Sequence, residues 1–195
     1  MSAEAGKTLC QDWLSRLSAG NHTAFAEFVD KYKHSVFLCC RTLGLDDDEV
    51  EDAASETFLA AYKGLSQYKG RAQLGTWLWR IAYRQAVNYL RKNRNGREQL
   101  LDEPSEQLAD NKQPEASAAI HCKEQERLIW DAVRKLPRLW AMAVILFYRE
   151  EKSIKDIAKI MQVRQNTVKT YLFRARQKLK EIIQPRLGED IDADR

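Results

Sequence analysis

The sequence predicts an all-α chain: two small helical domains joined by a flexible acidic linker, the second domain containing a helix-turn-helix. Three observations carry this. Apolar residues recur at helical spacing on both sides of a stretch that lacks the period. With 8 Gly and 4 Pro in 195 residues, the chain is poor in the turn-formers of an all-β protein. Charge is segregated beneath a modest net +4: Lys63 to Arg97 holds nine Lys/Arg and no acid, Arg164 to Lys180 six and no acid, and Asp46 to Glu56 seven acids and no base. Two basic surfaces separated by acidic stretches imply two contacts with a polyanion, and a different partner for the acids.

In chain order, Ala24, Phe25, Phe28, Val29, Tyr32, Val36, Cys40 and Leu43 form the stripe of a first helix. Gly44 is its stop, and Asp46 to Asp48 supply N-caps and favourable acids for the next. Val50, Ala53, Ala54, Thr57, Phe58, Ala61 and Leu65 make that second helix's buried stripe. Gly64, Gly70 and Gly75 bracket a polar loop, and a long third helix runs from about Leu74 to Arg91. Residues 1–92 are thus the first domain. From Asn93 to Ser117 apolar density falls, with Gly96, Pro104 and Pro114 among acids; residues 93–117 read as a flexible linker.

Residues 118–195 form the second domain. Leu128, Ile129, Ala132, Val133 and Leu136 share one face, and Leu136-Pro137 ends that helix because the residue before proline avoids the α region. Trp140, Ala141, Val144, Ile145 and Tyr148 give the next helix, Ile154 to Met161 a short one, and Gln165 to about Ile183 the last. The short helix, a three-residue turn and the long basic helix outline a helix-turn-helix. Val168, Leu172, Ala175 and Leu179 form the inward stripe at 100° per residue. Opposite stand Asn166, Lys169, Thr170, Phe173, Arg174 and Gln177. An exposed Phe among Lys, Thr and Arg suits a major groove, touching thymine methyls while its neighbours read base edges. Arg164, Arg176 and Lys178 flank this face and suit phosphates. A helical hairpin with a solvated basic face, its Phe173 docked on a neighbouring protein, would share the pattern. A stand-alone helix-turn-helix regulator would share it too.

The Leu74 to Arg91 helix separates these readings. It is apolar around most of its circumference, with Trp77, Leu78, Trp79, Ile81, Ala82, Tyr83, Ala86 and Leu90. One ridge is basic, with Arg80, Arg84 and Arg91 aligned and Asn88 beside them. The preceding loop contains Lys69 and Arg71. Cations beside aromatics and amides hold unpaired strands, with phosphates on the cations and bases stacked or pocketed. Trp77 itself reads as core.

Here the chain resembles a known family. Phe58-Leu59-Ala60-Ala61-Tyr62, Tyr68-Lys69-Gly70-Arg71, Thr76-Trp77-Leu78-Trp79-Arg80-Ile81-Ala82 and Asn88-Tyr89-Leu90-Arg91 resemble the second conserved region of extracytoplasmic-function sigma factors. Leu136-Pro137, Asp156-Ile157-Ala158, Thr167-Val168-Lys169-Thr170 and Phe173-Arg174-Ala175-Arg176 resemble their fourth region. The resemblance implies a sigma factor that directs core RNA polymerase to particular promoters. Asp52, Glu56 and Leu59 would bind the polymerase clamp helices, with the flap a further contact. Lys69, Arg71, Arg80, Arg84 and Asn88 would grip the −10 element. Arg164, Asn166, Lys169, Thr170, Phe173, Arg174 and Arg176 would read the −35 element. It further implies an anti-sigma factor, often membrane-anchored, as inhibitor. Arg84 stands where the family often has Asn, which bears on base preference at −10. Asp156 replaces the usual Glu. Gln162 and Arg164 stand where the helix-helix turn often has Gly and a Ser cap, predicting a less rigid turn.

Other classes are disfavoured. There is no Gly-rich phosphate loop, nucleophile elbow or metal-ligand spacing, and three scattered histidines make no triad, so no enzyme, cofactor or small-molecule substrate is expected. His34, Cys39 and Cys40 are poorly spaced for metal ligands on one helical face. Cys10, Cys39, Cys40 and Cys122 lack CxxC spacing and read as reduced thiols. With no signal-peptide layout in Met1 to Leu9 and no membrane-length apolar run, a cytoplasmic location is expected.

Overall fold

The computed structural model describes residues 15–17, 19, 21–70, 72–93 and 128–192, with side chains neither at 93 nor beyond 184. The first half has α1 (His22–Thr42), α2 (Asp47–Gly64) and α3 (Leu74–Asn93). Each boundary follows from a specific cap. The Asn21 side chain accepts from the Ala24 N–H at 3.1 Å to start α1. Gly44 ends it with φ +83°, a conformation open to glycine, while its N–H reaches the Arg41 carbonyl at 2.9 Å. Asp46 and Glu49 then close a reciprocal capping box on α2, at 2.9 and 3.0 Å.

All seven residues of the predicted α2 stripe are buried, with Phe58 edge-on to Phe28 of α1 at 6.0 Å. Buried Thr57 gives its hydroxyl proton to the Ala53 carbonyl at 2.7 Å, so the stripe holds no orphaned hydroxyl. Cys39 and Cys40 lie in this core. Burial pushes the Cys39 thiol well up, with Cys40 and Glu150 adding to the effect, and pushes Cys40 up to about 12. His34 takes a different partner, its Nε2 accepting from the Arg149 guanidinium at 2.8 Å.

The second half comprises α4 (128–134), α5 (Arg138–Val144), a π-turn (Ile145–Arg149), α6 (Ile154–Met161) and α7 (Gln165–Asp192). Two sequence expectations need correction. Ile129, placed on the apolar face of α4, is 46% exposed, while Ala132, Val133 and Leu136 are buried. Tyr148, placed on the inward stripe of α5, is 54% exposed. For Tyr148 the cause is the π-turn: it inserts a residue into the helical repeat, so Ile145 stays buried at its start while Tyr148 near its end turns outward.

The halves are docked. α3 packs against α6, α1 touches α5, and one apolar cluster runs through both. Arg138 of α5 is buried so tightly on Gly44 that a Cβ there would come within 2.3 Å of the guanidinium carbon. Glu150, just after the π-turn, accepts from Trp79 of α3 at 3.0 Å and from Ser35 of α1 at 3.2 Å. Apart from Asn93, the predicted linker 93–117 lies outside the described residues, as do Cys10 and Cys122.

Candidate nucleic-acid interface

Helix α3 presents one wet ridge on an otherwise buried cylinder. Leu78, Trp79, Ala82, Tyr83, Ala86, Val87 and Leu90 are buried, whereas Arg80, Arg84, Asn88 and Arg91 are exposed. The spacing i, i+4, i+8 of Arg80, Arg84 and Asn88 sets them above one another on successive turns. Three cations can therefore follow a phosphate backbone, with an amide among them to hydrogen-bond a base. Trp77 is half-buried, against Tyr68 at 5.2 Å, and a Cβ at Gly64 would lie 3.1 Å from its ring. This is mainly the core role expected of it.

The loop before α3 is shaped from within. The Tyr68 hydroxyl donates to the Ala72 carbonyl, and Gly70 turns the chain with φ +67°. Nothing crowds Gly70, so its backbone angle is what requires glycine there. Lys69 is exposed at the tip. Arg71, also expected at this surface, lies outside the described residues.

On α2 the side away from the core carries Asp52, Glu56 and Leu59, all exposed, with Leu59 at 54%. Asp52 accepts from the Tyr89 hydroxyl of α3 at 3.3 Å, fixing the acidic face relative to the basic ridge. Tyr62, at 41% exposure, extends the apolar part of this face and meets Phe25 edge-on at 5.0 Å.

The helix-turn-helix is formed by α6 and α7. Ser153 caps α6 by accepting from the Asp156 N–H at 3.1 Å, and its hydroxyl donates to the Asp156 carboxylate at 2.7 Å. The turn after α6 pivots on Gln162, held at φ +56° with its N–H on the Ala158 carbonyl. A glutamine here adopts the left-handed cap that glycine would take more easily, so the turn forms despite the missing Gly. Arg164 begins α7 through its carbonyl, which accepts from Thr167 at 3.0 Å; its side chain has no acceptor oxygen for the free N–H groups.

Val168, Leu172 and Ala175 of α7 are buried against the domain, and Leu179 is half-buried. The opposite face carries Asn166, Lys169, Thr170, Phe173, Arg174 and Gln177, all exposed as the spacing predicted, and the flanking Arg164 and Arg176 are exposed too. Phe173 is 59% exposed, the largest value among the exposed large hydrophobics described. Thr170 donates to the Asn166 carbonyl at 3.0 Å, and the Arg174 guanidinium lies 6.0 Å from the Trp140 ring centre. Lys178 points instead to Glu181, at 3.0 Å.

Two exposed cationic surfaces therefore stand on two helical modules, with an acidic-apolar face on the first. Comparison with known proteins matches each half to a family. Residues 28–96 match the Sigma-70 region 2 model, and residues 126–179 match Sigma-70 region 4. The chain is 33% identical over 184 residues to the ECF RNA polymerase sigma-E factor of Haemophilus influenzae, covering 90% of this chain and 95% of that one. The chain belongs to the extracytoplasmic-function sigma factors.

Other relatives agree. The RNA polymerase sigma-H factor of Pseudomonas aeruginosa is 32% identical, with 92% of this chain and 96% of that one covered. The SigW ECF factor of Bacillus subtilis is 32% identical, with 86% and 93% covered. Among solved structures, the fold is shared with the sigma factor RpoE of Bartonella quintana, in its complex with the anti-sigma factor NepR. That likeness has a TM-score of 0.58 at 23% identity, over 82% of this chain and 96% of that one. A region 2 match over the first half also removes the stand-alone regulator as a rival reading. The function is that of an initiation subunit. Among the described residues no helix is long and apolar enough to cross a membrane.

Sequence reasoning missed the contacts that join the halves: Glu150, Ser35, Trp79, His34, Arg149 and Arg138. They pair residues 71 to 115 positions apart, so no local period or motif announces them.

Proposed function

We propose that this sigma factor binds core RNA polymerase in the cytoplasm, without catalysing a reaction itself, and divides promoter reading between its two halves. Asp52, Glu56 and Leu59 meet the clamp helices, and the second half reaches the flap. Lys69, Arg71, Arg80, Arg84 and Asn88 hold the non-template strand of the −10 element, exchanging base stacking for pocket contacts as the duplex opens. Arg164, Asn166, Lys169, Thr170, Phe173, Arg174 and Arg176 read the −35 element as duplex in the major groove. An anti-sigma factor holds the free protein inactive. Residues 1–92 and 118–195 are the two functional units, and 93–117 the tether between them.

The observation that carries this reading is the outward Phe173 on a helix whose exposed side is cationic and acid-free from Arg164 to Lys180, in a chain with a second basic ridge on α3. Each module alone offers few contacts and binds weakly. Polymerase fixes their separation, so the energies combine only on correctly spaced elements. The test is a promoter-mutant series transcribed with Lys169→Ala and Arg174→Ala proteins. Each substitution is expected to cost about 1–3 kcal/mol of discrimination at −35 and to leave polymerase affinity unchanged. Loss of polymerase binding with promoter preference intact would overturn the division of roles.

A further inference from the structure

The docked halves raise a geometric problem. A compact 195-residue body has a radius of gyration of ~16 Å, so it is ~40 Å across. Elements about 25 base pairs apart lie ~85 Å apart along B-DNA at 3.4 Å per pair. In the docked arrangement α3 and α7 cannot reach both, so on a promoter the contact between α3 and α6 has to break.

Apolar packing lines that contact, and two of the hydrogen bonds that cross it meet at one carboxylate. Glu150 follows a π-turn and precedes Glu151, itself at φ +51°, in the short link into α6. Strained backbone of this kind persists where surrounding contacts over-determine it. One Glu150 oxygen accepts from the Trp79 indole at 3.0 Å and the other from the Ser35 hydroxyl at 3.2 Å. Both donors belong to the first half. Trp79 is 2% exposed and immediately precedes Arg80 on the basic ridge, so the helix meant for −10 is tied to the link that opens the −35 reader. Beside it Arg149 binds His34 across the same boundary while its guanidinium lies 5.4 Å from the Trp130 ring centre.

We infer that Glu150 is an intramolecular latch. Its carboxylate, clasped by Trp79 and Ser35, keeps the sigma factor closed and restrains it from seating both halves on polymerase and promoter. The inference rests on the sigma reading above for what the open form does, but not for the latch itself. Only the open fraction is competent, so apparent affinity for polymerase rises by the factor by which that fraction rises.

The full chain is compared by small-angle scattering and by titration with core polymerase, with circular dichroism reporting helix content. Glu150→Ala removes the acceptor; Ser35→Ala with Trp79→Phe removes both donors and keeps the packing ring. Each protein is expected to keep its helicity and to expand from a radius of gyration of ~16 Å to above ~20 Å. Each should also bind polymerase about ten-fold more tightly, with Glu150→Gln intermediate. If both variants stay as compact as the parent, Glu150 is no latch. If they expand and polymerase affinity does not rise, the closure is no restraint and the inference fails. If they expand but no version binds polymerase, the latch stands and the sigma reading falls.

Discussion

Leu59 and Phe58 are neighbours on α2 that face opposite surroundings, which makes the pair an informative perturbation. Phe58 is 8% exposed and packs edge-on against Phe28, whereas Leu59 is 54% exposed on the acidic face. Truncating a buried Phe costs about 3–5 kcal/mol, a large part of a small domain's stability. Leu59→Ala leaves the core alone and is expected to change stability by no more than about 0.5 kcal/mol. Fully burying a Leu side chain is worth about 1.5–3 kcal/mol. With 54% of Leu59 left to cover, a polymerase surface that seals it gains about 1–1.5 kcal/mol, or roughly a ten-fold change in affinity. Thermal melting and competitive binding to core polymerase, measured on both variants, separate the terms. Leu59→Ala should melt with the parent and bind about ten-fold more weakly, while Phe58→Ala should lose its cooperative melt. A lowered melting temperature for Leu59→Ala with full polymerase affinity would refute the assignment of this face.

Two further outcomes follow from the backbone and the core. Gln162 bears a left-handed conformation that costs a side-chain residue about 1 kcal/mol, so Gln162→Gly should raise stability in urea by up to about 1 kcal/mol and leave promoter preference unchanged. Cys40 titrates near 9.0 when unfolded and near 12 when folded, so above pH 9 the unfolded chain has fewer bound protons and stability falls as pH rises, by about 1.4 kcal/mol per unit for each such thiol. Urea midpoints at pH 8 and pH 10 should show the fall, with a shallower one in Cys40→Ala.

Much of this was legible because helical period and charge are local properties. The α2 stripe, the Gly44 stop followed by the Asp46 cap, and the outward Phe173 opposite Val168 and Leu172 were all readable from spacing. Tyr148 was not, because a single inserted residue in the π-turn shifts the register, and the same side chains would suit an unbroken helix. At Gln162 the sequence shows a side chain that disfavours the left-handed region, and the fold places it there at φ +56°. The docking of the two halves was least legible. Trp79 in isolation reads as an ordinary core aromatic and Glu150 as a solvated acid; only the fold brings indole and carboxylate within 3.0 Å.

The most direct measurement is run-off transcription with purified core polymerase, on a library of promoters varied at both elements, with and without this protein. Initiation is expected only when the protein is added, from templates carrying two correctly spaced elements, with −35 preference altered by Arg174→Ala and −10 preference by Arg84→Ala. Failure to associate with core polymerase or to direct initiation, with no inhibitor present, would contradict this expectation.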